Sequence, residues 1–83
     1  MSITFTTIVQ KDDQVNATGL RVPAEVITAL GKGKKPPVTV TINGYTYRST
    51  VAAYGDVFML PLSAENRQAA GVNAGDQIEV TLA

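Results

Sequence analysis

The stretch Val38-Thr39-Val40-Thr41-Ile42-Asn43-Gly44-Tyr45 decides how this chain is read. Two valines and an isoleucine alternate with threonines, which is the period of a strand that buries one face, and β-branched side chains suit that pleated surface. Asn43-Gly44 then supplies the positive φ angles of a two-residue hairpin turn and sends the chain back through 45–53. The same alternation returns forty residues later in Ile78-Glu79-Val80-Thr81-Leu82, which ends one residue short of the last residue of the sequence.

Working outward, residues 2–10 place Ile3, Phe5, Thr7 and Val9 at alternate positions and predict a first strand. Lys11-Asp12-Asp13-Gln14 forms a polar break, and 18–22 predicts a short second strand. Pro23 ends it and suits the first turn of a helix over 24–30, which Gly31 stops in a left-handed conformation. Lys32-Gly33-Lys34-Lys35-Pro36-Pro37 offers no apolar anchor and predicts a basic loop. After the central hairpin, Tyr54-Gly55-Asp56 turns the chain, 57–60 predicts a strand stopped by Pro61, and Ser63 caps a helix over 64–70 that ends at Gly71. Asn73-Ala74-Gly75-Asp76 turns into the final strand.

The second half therefore repeats the first, with repeats of about 1–42 and 43–83. Leu20-Arg21-Val22-Pro23 lies 38 positions before Phe58-Met59-Leu60-Pro61, and Gly31 lies 40 before Gly71. Neither repeat can enclose a core alone, so the two must complete one another within a single domain spanning 1–83. The expected fold is mainly β with two short helices, a pseudo-twofold barrel of six strands that leaves few free edges. The alternative is an open α+β sheet. Met59, which the repeat sets at the place of Arg21, is expected to face outward.

Composition closes many functional routes. The 83 residues hold seven Lys+Arg against seven Asp+Glu, with no His and no Cys. A balanced charge lacks the basic footprint of most nucleic-acid binders. Without imidazole or thiol there is no Ser-His-Asp triad, no cysteine nucleophile, no zinc finger and no disulfide framework. With 45% hydrophobic and 17% charged residues the chain is globular, and it shows neither a secretory leader nor an apolar run long enough to span a bilayer. A cytoplasmic monomer outside the membrane is the expectation, and the Asn16-Ala17-Thr18 acceptor pattern is read as chance.

Several spaced residues also carry a family resemblance. Pro23-x-Glu25-Val26, Leu30-Gly31, 38–44 with Asn43-Gly44, Tyr47-Arg48-Ser49, Gly55, Leu60-Pro61, Arg67-x-x-Ala70-Gly71 and Gly75-Asp76-x-x-x-Val80 resemble a bacterial domain of unknown function. That domain is found in YdeI- or OmpD-associated proteins of the bacteriocin-protection type. The resemblance implies a double-split β-barrel similar to the swapped-hairpin barrel of AbrB and MazE, here with both halves in one chain. Many members continue into a helical segment where this sequence ends at Ala83, so nothing that segment does is carried over. The family has no established catalytic residues to transfer.

The binding candidates are Lys32, Lys34, Lys35, Arg48 and Arg67. The lysines form a flexible cationic loop suited to an anion, although a Gly-x-Gly that follows a helix is the wrong setting for a dinucleotide site. Arg48 has the opposite strand parity to Tyr45 and Tyr47, and Arg67 sits in the second helix. Their guanidinium groups either tie down carbonyls and a carboxylate such as Asp76 or meet a carboxylate or phosphate ligand. Tyr45, Tyr47 and Tyr54 read as lids on the core with wet hydroxyls rather than as a base-stacking platform. Asp12 and Asp13 read as turn residues, and Asp76 does too. No catalytic residue, metal site or cofactor is expected. The function read from the sequence is a small non-catalytic binding or interaction module for a protein partner or a small anionic ligand. DNA binding by an AbrB-like barrel is the alternative.

Overall fold

The computed structural model of the chain describes residues 2–12, 17–31, 33 and 36–83. Its elements follow in the order β1 (Ile3–Asp12), β2 (Ala17–Val22), α1 (Ala24–Leu30), β3 (Pro37–Ile42), β4 (Tyr45–Thr50), β5 (Ala52–Tyr54), β6 (Val57–Leu62), α2 (Ala64–Ala70) and β7 (Gln77–Leu82). The hairpin that opens the sequence reading is β3–β4. Asn43 at φ 51° and Gly44 at φ 78° make its turn, and Ile42 faces Tyr45 across it. Val38, Val40 and Ile42 point inward from β3, as Ile78, Val80 and Leu82 do from β7, and all six are buried.

The strands form one curled antiparallel sheet in the order β4-β3-β7-β1-β2-β6-β5. Its curl comes from β1, which pairs with β7 from Ile3 to Ile8 and with β2 from Val9 to Asp12. At the changeover the Val9 N–H donates to the Asp76 carbonyl at 2.9 Å and the Gly75 N–H donates to the Val9 carbonyl at 2.8 Å. Arg21 pairs with Met59 between β2 and β6, and Thr41 pairs with Thr81 between β3 and β7. Among the described residues the fully buried core is aliphatic apart from Tyr47; Phe5, Tyr45 and Phe58 pack partly buried against it, and Leu20, Leu60, Val40, Val80 and Leu82 are sealed from solvent. Burying a side chain of this kind stabilises the fold by roughly 1.5–3 kcal/mol.

The helices close the open ends of the core. In α1, Val26 and Ile27 are buried, and Gly31 takes the left-handed stop at φ 67°. Pro23 precedes this helix and provides no side-chain cap. In α2, Ser63 Oγ accepts from the Asn66 N–H at 3.1 Å, and Gly71 closes the helix at φ 72°. Only Ala70 of α2 is buried, so polar bonds supply much of its attachment. Asn43 Nδ2 donates to the Ala70 carbonyl at 2.9 Å, and the Tyr45 hydroxyl donates to Asn66 Oδ1 at 2.5 Å.

Three sequence expectations need correction. Among the described residues there are seven strands rather than six, because 45–53 does not run through: Val51 turns its N–H to the Pro36 carbonyl at 3.0 Å and buries its side chain, dividing β4 from β5. The strand expected to stop before Pro61 continues through it to Leu62. β5 ends opposite Met59, so one side of β6 carries no ladder at Pro61 and a residue without an N–H is tolerated there. The first strand extends to Asp12, since polar side chains are accommodated where a ladder projects beyond the core. Met59 lies on the outward face opposite Arg21, as expected, but is half-buried with its methyl end near Gly19, and among the described residues the large apolar side chains that stand exposed are Ile8 and Tyr54.

Candidate functional site

Arg48 lies at the middle of β4, paired with Thr39 of β3. Alternation along β4 buries Tyr47 and turns Arg48 outward into solvent. There the guanidinium borders an open cleft of about 430 Å³ with Pro37, Thr39, Ser49, Thr50 and Ala83 around it. The floor is held by a reciprocal pair of main-chain bonds, Thr39 N–H to the Ala83 carbonyl at 2.9 Å and Ala83 N–H to the Thr39 carbonyl at 3.0 Å. The hydroxyls of Thr39 and Thr50, which share the outward face of Arg48, and its guanidinium can satisfy the several lone pairs of a carboxylate or phosphate.

Arg67 is half-buried on α2 and borders neither this cleft nor the second one described below. Its main-chain carbonyl receives the Val72 N–H at 3.1 Å, part of the helix stop. The side-chain hydrogen bonds among the described residues join threonines, tyrosines, asparagines, Ser63, Asp76 and main-chain carbonyls, with no guanidinium among them. The expected tie from an arginine to Asp76 is therefore not made within that set. Asp76 instead accepts from the Asn73 N–H at 2.8 Å and fixes its own turn. Lys32, Lys34 and Lys35 lie outside the described residues, as do Asp13 and Asn16.

The tyrosines divide. Tyr45 and Tyr47 stack with centroids 6.1 Å apart, and the Tyr47 hydroxyl donates to the Pro61 carbonyl at 3.3 Å. Burial, with the neighbouring Tyr45 adding to it, pushes the Tyr47 phenol up from 10.0 to about 12. Both behave as core lids. Tyr54 departs from that expectation, being 68% exposed at the end of β5.

A second cleft, of about 580 Å³, involves residues that the sequence did not single out as a site, among them Ile8, Arg21, Glu25 and Asp56. They are scattered over nearly fifty positions and carry no motif, so only the folded chain assembles them. Among the described residues no group of three or more His, Cys, Asp or Glu side chains is placed to hold a metal ion. No helix among them is long and apolar enough to cross a membrane.

Comparison with curated proteins finds no match. A family described as a domain of unknown function, DUF1905, matches residues 5–82, from the first strand through the last. That span takes in both helices, the central hairpin and the residues of both clefts except Ala83, and the chain belongs to this family.

Proposed function

We propose that the chain is a small, non-catalytic binding module whose ligand is a small anion held at Arg48. One observation carries this reading: an exposed guanidinium on a hydroxyl-lined cleft, without a side-chain hydrogen bond to any described residue. A guanidinium in that condition keeps its fork of donors free for a planar oxyanion. Arg67, which borders neither cleft, is left out of this site, and a contribution from Lys32, Lys34 and Lys35 stays part of the proposal as added positive charge.

We infer further that the curled sheet is a double-split barrel built from two repeats, related to the AbrB-like barrels of YdeI- or OmpD-associated proteins. The pairs Arg21–Met59 and Thr41–Thr81 support this, since they set residues at the 38- and 40-residue offsets opposite one another. Matching side-chain bonds add to it. Thr4 bonds Thr81 at 2.9 Å and Thr46 bonds Thr41 at 3.0 Å. With both halves in one chain, the module acts as a monomer, and we place it in the cytoplasm of a bacterium.

Calorimetric titration with inorganic phosphate and with acetate tests the function. Saturable binding near the millimolar range, typical of one exposed ion pair with a few hydroxyls, should disappear in Arg48→Gln, at a free-energy scale of about 4 kcal/mol. Duplex DNA should bind no tighter than the roughly 10⁻⁴ to 10⁻⁶ M of non-specific contacts at physiological salt. Tight, salt-sensitive duplex binding lost on replacing the three lysines would favour the AbrB-like alternative.

A further inference from the structure

The second cleft opens where strands part. β1 pairs with β2 only from Val9 onward, while β2 continues to Val22 on the β6 ladder. Arg21 and Val22 thus leave β1 behind, and the Thr7 hydroxyl spans the fork to the Arg21 carbonyl at 2.9 Å. A crevice at such a divergence is set by the backbone, and concave sites of this kind are where small ligands bind. The first cleft occupies the matching place in the other half. Thr4 and Thr46 pair with Thr81 and Thr41, so Thr6 stands where Arg48 does and Ile8 where Thr50 does. Thr6 and Ile8 border one cleft, Arg48 and Thr50 the other.

The linings differ in chemistry. In the second cleft Ile8, 51% exposed, and the half-buried Pro23 supply apolar surface. Arg21 supplies a positive group, and Glu25 of α1 and Asp56 of the β5–β6 turn supply negative ones. None of the three enters a side-chain hydrogen bond with the described residues. Unneutralised charges of both signs beside an exposed aliphatic surface match a ligand that is itself both charged and apolar. The volume of about 580 Å³ exceeds a single amino acid and suits a few residues.

We propose that this cleft binds a small zwitterion with an aliphatic body, either a free amino acid or a short peptide with free termini. Its carboxylate meets Arg21, its ammonium meets Glu25 and Asp56, and its side chain lies on Ile8 and Pro23. The proposal does not depend on anion binding at Arg48.

The test is a nuclear magnetic resonance titration of ¹⁵N-labelled protein with L-leucyl-L-leucine, L-leucine, and the N-acetylated and C-amidated dipeptides. The amide signals of Ile8, Arg21, Glu25 and Asp56 should move saturably with the free dipeptide. Blocking either terminus, or making Arg21→Gln, should weaken binding by about ten-fold or more, the effect of losing one hydrogen bond to a charged group. Ile8→Thr, which keeps a β-branched strand residue, should also weaken it, while Arg48→Gln should bind as the wild type does. Equal binding of L-leucine and the dipeptide identifies the free amino acid as source; preference for the dipeptide identifies a peptide. Absence of saturable shifts with both, or equal binding of blocked and unblocked dipeptides, overturns the proposal.

Discussion

The Tyr47 hydroxyl reaches 3.3 Å to the Pro61 carbonyl, bridging β4 and β6, two strands that share no ladder. The bond sits where β5 has ended and the sheet edge would otherwise stand open. With the phenol held near 12 by burial and by Tyr45, the neutral form is the one the fold favours. Below pH 10.0 tyrosine is neutral in both the folded and unfolded states, and the contribution is intact. As pH rises past that value the unfolded chain ionises first, so stability should fall until the folded phenol ionises near pH 12. Tyr47→Phe should lose about 0.5–1.5 kcal/mol at neutral pH and flatten the alkaline decline. Urea unfolding at intervals from pH 7 to 12 measures both.

Val40 and Val80 are fully buried at matching positions of β3 and β7. Truncating either to alanine should cost about 1–3 kcal/mol, a large share of the stability of a domain this small. Equilibrium denaturation with an unchanged m-value checks that the loss is in the native core. If the two positions are structurally equivalent, the two losses should agree closely.

The helix caps make a paired prediction. Ser63→Ala removes the side-chain bond to the Asn66 N–H and should cost about 1 kcal/mol. α1 has no such bond, so Pro23→Ala should change stability less through capping. Thermal unfolding of the two variants compares them.

What the sequence made legible was local. Asn43-Gly44 fixed the turn by its backbone demands, and Pro23, Gly31, Ser63 and Gly71 marked the helix ends because capping is decided within a few residues. Alternation assigned the buried faces of β3 and β7 correctly, and it turned Arg48 outward beside a buried Tyr47. Features set by tertiary pairing were less visible. Val51 looks like any strand valine until its N–H is seen bonded to Pro36, and Pro61 breaks no strand because β5 stops short of it. The exposure of Ile8 follows from its parity, opposite to Phe5, Thr7 and Val9, although its hydrophobicity alone marks it as core. The clefts arise at forks between strands far apart in sequence, which no local pattern encodes.

The proposed barrel of two repeats in one chain predicts a monomer. Light scattering should give the mass of one chain, 8.8 kDa, down to low concentration. An obligate dimer would contradict the self-completing barrel and would direct attention to Ile8 and Tyr54, the large apolar side chains found exposed.

Anion binding at Arg48 is tested most directly by following backbone amide signals of the wild-type protein and of Arg48→Gln as inorganic phosphate is added. The account predicts saturable shifts centred on Thr39, Arg48, Ser49 and Thr50, small or absent shifts in α2 around Arg67, and loss of the response in the variant. A wild-type spectrum that does not change at those four residues, or a variant that responds as strongly as the wild type, would contradict it.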